Sequence, residues 1–241
     1  MYIGNPKTTL TPEALECKGT ASVTLSFEAA SALQHHPAEI VLLLDRSAGI
    51  TPEEMAAVKT AAKQFIRDIS IATTAPDPIF IGSPTVLWLA GFADTVTATR
   101  ETTTDVADLE AFVDAIQISS SPANYKAAFE KAQSLFYPPN DRRRIVVLFS
   151  HSAETALADA DAAAERMKAQ GAELFCIGLM DDPAKLNLWA SGEAKNHVSW
   201  NPSSAGMNQA FREIAAEVVL AGLIDGELTE IAGPDFSDHR L

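Results

Sequence analysis

The sequence predicts a three-layer α/β sandwich, with a mostly parallel central sheet and helices on both faces. Three observations carry that prediction. Strand-like apolar runs alternate with amphipathic helical segments along most of the chain. The first strong run, Glu39–Asp45 (EIVLLLD), is apolar throughout its interior, as a strand covered on both faces should be. Strand–helix alternation of this kind implies parallel strands joined by crossovers, and hence a Rossmann-like architecture. At 241 residues there is room for one large domain with a little extra.

The elements follow in order. Gly19–Ala29 (GTASVTLSFEA) alternates, with Val23, Leu25 and Phe27 on one side, and predicts a half-buried strand. After EIVLLLD, Thr51-Pro52-Glu53-Glu54 supplies an N-cap, a proline at the first helical position and acids in the first turn. Val58, Ala62, Phe65, Ile66 and Ile69 continue with helical spacing. PTVLWLAGFAD (84–94) predicts a strand, TDVADLEAFVDAI (104–116) a capped helix, and NYKAAFEKAQSLF (124–136) a helix stopped by Pro138-Pro139. RRIVVLFS (143–150) predicts a strand, residues 154–171 a helix ending at Gly171, and AELFCIGLM (172–180) a strand. A short helix PAKLNLWA (183–190), a short strand HVSW (197–200) and an amphipathic helix over 204–222 close the series. LIDGELTEI (223–231) predicts a further strand in the tail.

Composition narrows the functional classes. Eighteen Lys and Arg against 32 Asp and Glu give a net charge of −14, a field that repels nucleic acid and anionic lipid. The one basic cluster, Arg142-Arg143-Arg144, precedes an apolar strand and is read as a solvated strand entrance. No run reaches the ~18 apolar residues of a membrane span. No basic-then-apolar leader opens the chain, which makes the cytoplasm the default location. Two cysteines form no disulfide framework: Cys176 reads as a buried strand thiol, Cys17 as exposed. His35 and His36 read as exposed linker, and Thr102, Thr103 and Thr104 as a polar stretch before a helix. Trp88 is expected in the core; Trp189 and Trp200 are expected to pack the last helix onto the sheet.

In sheets of this class ligands sit beyond the carboxyl ends of the strands. The loops after Leu44, after Phe149 and around Ser119–Tyr125 therefore matter most. The glycine pattern of a dinucleotide site is absent from DRSAGI, and FSHSAE lacks both glycines of a nucleophile elbow.

What does match is IVLLLDRSAGI (40–50), which resembles the opening strand and D-x-S-G-S loop of a von Willebrand factor type A domain. The resemblance continues in register. ISSSPANYKAAFEKA (118–132) looks like the second loop, usually G-x-T-N before a helix. RRRIVVLFSHSAET (142–155) looks like the strand that normally ends in T-D-G, and GAELFCIGLMD (171–181) like the strand after it. LNLWAS and HVSW match the closing segment. The flanks resemble a bacterial branch, in which ALECKGTASVTLSFEA (14–29) precedes the domain as an extra strand or hairpin. The implied organisation is an N-terminal β extension over 1–36, a type A domain over 37–222, and a tail or start of a β region over 223–241.

That family implies an adhesion site in which Mg²⁺ or Mn²⁺ is held by the aspartate and two serines of the first loop, a threonine of the second and an aspartate of the third. Here Asp45 and Ser47 match, but Gly49, Ala123 and His151 stand at the other three positions. One carboxylate and one hydroxyl make a poor site for Mg²⁺, which gives up its water reluctantly. The expected reading is a non-enzymatic interaction module with a vestigial, metal-free site and no cofactor. Asp45 is then expected to cap the adjacent loop or to pair with His151. A protein partner is expected at Asp45, Arg46, Ser47, Asn124, Tyr125, Ser150 and His151. The alternative is a hydrolase or metalloenzyme using Asp45, Ser47 and His151, with Zn²⁺ conceivable at an Asp/His pair. Relatives in this family are often displayed outside the cell.

Overall fold

The computed structural model describes residues 2–11, 22–30, 38–74, 85–99, 105–136, 142–151, 157–179, 183–192 and 197–220. Two compact units divide the chain, Met1–Gln34 with Ala221–Leu241, and His35–Leu220. In the first, β1 (Tyr2–Thr11) and β2 (Ser22–Ala30) pair antiparallel from Tyr2↔Ala30 to Thr11↔Ser22, with an irregularity between Gly4 and Lys7. The alternation around Val23 marks β2; its partner β1 carries Gly4, Asn5 and Pro6 and has no comparable pattern. Cys17, His35, His36, Thr102–Thr104 and the tail strand at 223–231 lie outside the described residues.

The second unit holds a six-stranded sheet in the order β5-β4-β3-β6-β7-β8. Its strands are β3 (Ala38–Asp45), β4 (Val86–Phe92), β5 (Val96–Ala98), β6 (Arg143–Ser150), β7 (Ala172–Gly178) and β8 (Val198–Trp200). All neighbours run parallel except β4 and β5. That antiparallel edge was not foreseen: three residues, VTA, carry too little pattern to predict a strand.

Among the described residues six helices flank the sheet: α1 (Pro52–Thr74), α2 (Val106–Ala115), α3 (Tyr125–Leu135), α4 (Leu157–Ala169), α5 (Ala184–Trp189) and α6 (Ser204–Leu220). Their starts follow the sequence signals. Thr51 and Glu54 form a reciprocal capping box, with Thr51 N donating to Glu54 Oε2 at 2.8 Å and Glu54 N to Thr51 Oγ1 at 3.2 Å. Asp105 and Asn124 accept from the second and third residues beyond them, at 2.8 and 3.0 Å.

The central strands are buried on both sides, and their side chains alternate between two cores. Ile40, Leu42, Leu44, Ile145, Val147 and Phe149 face the layer of α1, α2 and α6. Val41, Leu43, Val146 and Leu148 face that of α3, α4 and α5. Trp88 belongs to the second core, as expected. The packing expected of the other two tryptophans is corrected. Trp189 is fully buried against Tyr125 and Phe129 (4.9 and 5.5 Å between centroids), on the face opposite α6, with its Nε1 donating to Asp161 at 2.7 Å. Trp200 is 49% exposed.

The three arginines are also more than a solvated entrance. Arg142 lies 3.9 Å from Glu39, and Arg143 makes a two-pronged contact with Glu173 (3.2 and 2.7 Å) while reaching the Val218 carbonyl near the end of α6. Arg144 donates to the carbonyl of Gln170, just past α4. They neutralise buried-end carboxylates and helix C-termini, which leaves no free basic patch there. Cys176 is fully buried, and burial pushes its thiol up to about 12, so it is chemically inert in the folded chain.

Gly178, at the end of β7, is where α5 approaches the sheet: a Cβ there would strike the buried Leu186 side chain. Gly178→Ala is expected to lower the unfolding free energy by about 1–3 kcal/mol in urea titration. A Leu186→Ala background should recover part of that loss, because the two changes share one space.

Candidate functional site

The sheet order places the site. From β3 the chain moves outward to β4 and β5, then returns to the other side of β3 to lay down β6, β7 and β8. The order therefore reverses between β3 and β6, and a crevice opens at their carboxyl ends. Asp45 is the last residue of β3, Ser150 the last of β6, and His151 follows it. The third contributor is the loop before α3. It is tied down by Ser119 N to the Arg46 carbonyl (2.7 Å), Ala48 N to the Ser121 carbonyl (2.8 Å) and Asn124 N to the Ala93 carbonyl (2.8 Å).

Asp45 is 0% exposed and both its carboxylate oxygens accept hydrogen bonds. Oδ1 accepts from Ser47 N at 2.8 Å, closing a turn over the start of the loop. Oδ2 accepts from His151 N at 3.0 Å and from the Tyr125 hydroxyl at 3.1 Å. Tyr125 Oη also lies 2.6 Å from Ser150 Oγ. A carboxylate only accepts, so the tyrosine proton points to Asp45 and Ser150 donates to Tyr125. Ser150 and Ser47 are 0% exposed and Tyr125 is 2% exposed.

Asp45 was expected to cap the adjacent loop or helix or else to pair with His151, and the structure shows the loop cap. The backbone of His151 also contacts Asp45, while its ring goes elsewhere. The His151 Nε2 lies 3.6 Å from Glu54 Oε2, the carboxylate of the capping box. Nδ1 is buried without a hydrogen-bond partner, and so is Ser47 Oγ. Ser47 and His151 thus make no nucleophile–base hydrogen bond. Among the described residues no three His, Cys, Asp or Glu side chains converge into a metal-holding group.

Gly49 and His151, both expected to replace ligands of the adhesion site, are coupled by the geometry. Gly49 has φ of 101°, and a Cβ on it would lie 3.2 Å from His151 Cε1. A serine there would meet both a left-handed backbone and the imidazole. Arg46 is half-buried, its guanidinium 3.5 Å from the Gln117 carbonyl; Ala48, Gly49 and Asn124 are exposed. Beside them a cavity of about 320 Å³ is lined by Asp94, Pro122, Asn124, Tyr125 and Asp159 among others, but by neither Ser47 nor His151.

The model of the von Willebrand factor type A domain matches residues 39–213. The chain belongs to that family. No curated protein matches it. Among solved structures, the pilus adhesin SpaC from Lactobacillus rhamnosus GG aligns with a TM-score of 0.68 at 12% identity, over 90% of this chain and 34% of that one. The type A domain of the type V pili tip protein Mfa5 from Porphyromonas gingivalis aligns at 0.64 and 13%, over 81% and 99%. Proximal thread matrix protein 1 from the mussel byssus, solved with a zinc-occupied adhesion-site motif, aligns at 0.60 and 18%, over 78% and 46%. These identities establish the fold, and this chain spans about half the length of the mussel protein or less than that of the pilus adhesin. No described helix is long and apolar enough to cross a membrane.

Two participants escaped sequence reasoning in their actual roles. Tyr125 was read as a contact residue and is a buried donor; a large residue directly after the Asn124 cap was the available signal. Glu54 was read only as a first-turn acid, and its proximity to His151 has no local signature. Asp45→Ala strands three donors in a buried setting, and we expect a loss of about 2–4 kcal/mol in urea-monitored stability.

Proposed function

We propose that this chain is a non-enzymatic protein-interaction module of the adhesion type, whose contact loops are held together without a metal ion. The observation that carries the reading is the engagement of Asp45: each carboxylate oxygen already accepts a hydrogen bond from the protein, three in all. The residues present do not fit a small hard cation. Gly49 and Ala123 offer no side-chain oxygen and His151 no carboxylate, which leaves too few oxygen ligands to replace the water of Mg²⁺ or Mn²⁺. The family and its adhesin-like structural neighbours support the interaction role.

The burial of Asp45, Ser47, Tyr125 and Ser150 favours a scaffold role for those four. The contact then falls to Arg46, Ala48, Gly49, Asn124 and His151, with the adjoining cavity able to take a partner side chain. Its wall carries charge of both signs, Asp94 beside a Lys126–Asp159 pair 3.5 Å apart, which suits a polar side chain. The pilus and byssus origins of the structural neighbours favour display outside the cell.

The test is capture of surface-protein extracts on the immobilised chain, in chelator and in Mn²⁺. The same captured bands are expected in both buffers. Arg46→Ala with His151→Ala is expected to weaken capture by roughly tenfold, as for loss of interface anchors. Capture that requires Mn²⁺ would contradict the reading.

A further inference from the structure

We infer that the Tyr125 hydroxyl does with a proton what a shared metal does in the family pattern: it ties together the ends of β3 and β6 and the start of α3. This rests on the metal-free reading above and goes further by naming the residue that makes a cation unnecessary. Tyr125 opens α3 and so belongs to the second loop. Its hydroxyl bridges Asp45 of the first loop (3.1 Å) and Ser150 of the third (2.6 Å). All three groups are buried to 2% exposure or less, so the bridge is shielded from competing water.

The ring cannot easily withdraw. It packs edge-on to Phe92, with centroids 5.5 Å apart, and against the fully buried Trp189 at 4.9 Å. Trp189 is fixed in turn by Asp161, which also accepts from Lys185 at 2.7 Å. The hydroxyl is thus held in position from behind by α4 and α5. Tyr125 is in this sense a positioning residue: its hydroxyl fixes the loops from within. The consequence is a contact surface set in one arrangement, with no response to divalent cations.

The experiment compares the full chain with Tyr125→Phe, which keeps the ring and removes only the oxygen. Without added metal, Tyr125→Phe is expected to shift the folding equilibrium toward the unfolded state by about tenfold or more, because a buried carboxylate oxygen and the Ser150 hydroxyl lose a partner. Proton NMR of the unaltered chain supplies a readout that ring packing alone would not produce. A slowly exchanging hydroxyl proton is expected, with cross-peaks to the Tyr125 ring, absent in Tyr125→Phe and moved by Asp45→Asn. A Tyr125→Phe chain as stable as its parent, or a Tyr125 hydroxyl exchanging at solvent rate, overturns the inference while leaving the metal-free reading standing. A saturable rise in the parent's melting temperature with Mn²⁺, lost in Asp45→Ala, overturns both. Should Tyr125→Phe fail to fold, the NMR measurement on the parent decides.

Discussion

Everything at the carboxyl end of this sheet hangs on one buried carboxylate. Asp45 ends the central strand with no solvent access, and an ionised group in that position is costly unless donors surround it. Donors do: the amides of Ser47 and His151 and the hydroxyl of Tyr125. They come from the loop after β3, the loop after β6 and the start of α3, so satisfying the charge and assembling these segments are the same event. The donors that meet the charge are two backbone amides and a phenol.

The rest of the second unit can be read as the means of holding that charge in place. Reversal of strand order between β3 and β6 brings Asp45 and Ser150 side by side. The two cores seat the strands from both faces, and the Tyr125–Trp189–Asp161 series ties α3, α4 and α5 to the site. At the opposite end Arg143 and Arg144 anchor α6 and the end of α4. Gly49 and His151 are also coupled. An imidazole in place of the third-loop carboxylate lies over Gly49, where a serine would not fit comfortably.

The core strands and helices were legible because their signals are local: EIVLLLD is apolar throughout, and Thr51, Asp105 and Asn124 cap the helices they precede. What escaped was either too short or too distant. β5 has three residues, and β1 lacks alternation. Trp189 sits near α6 in sequence yet packs on the far face of the sheet, a choice made by tertiary contacts with Tyr125 and Phe129. At the site, residue types gave Asp45, Ser47 and His151, but donor direction is invisible in a sequence. The backbone, not the ring, of His151 meets Asp45, and the ring meets Glu54.

The most direct test of the account is amide hydrogen exchange of the metal-free chain at Ser47 and His151. Both amides donate to a buried carboxylate, so in the presence of chelator they should be protected to a degree comparable with the amides of β3 and β6. Exchange at the rate of open loops, slowed only when Mn²⁺ is added, would mean that the carboxylate is waiting for a cation and that the protein's own donors do not hold the site.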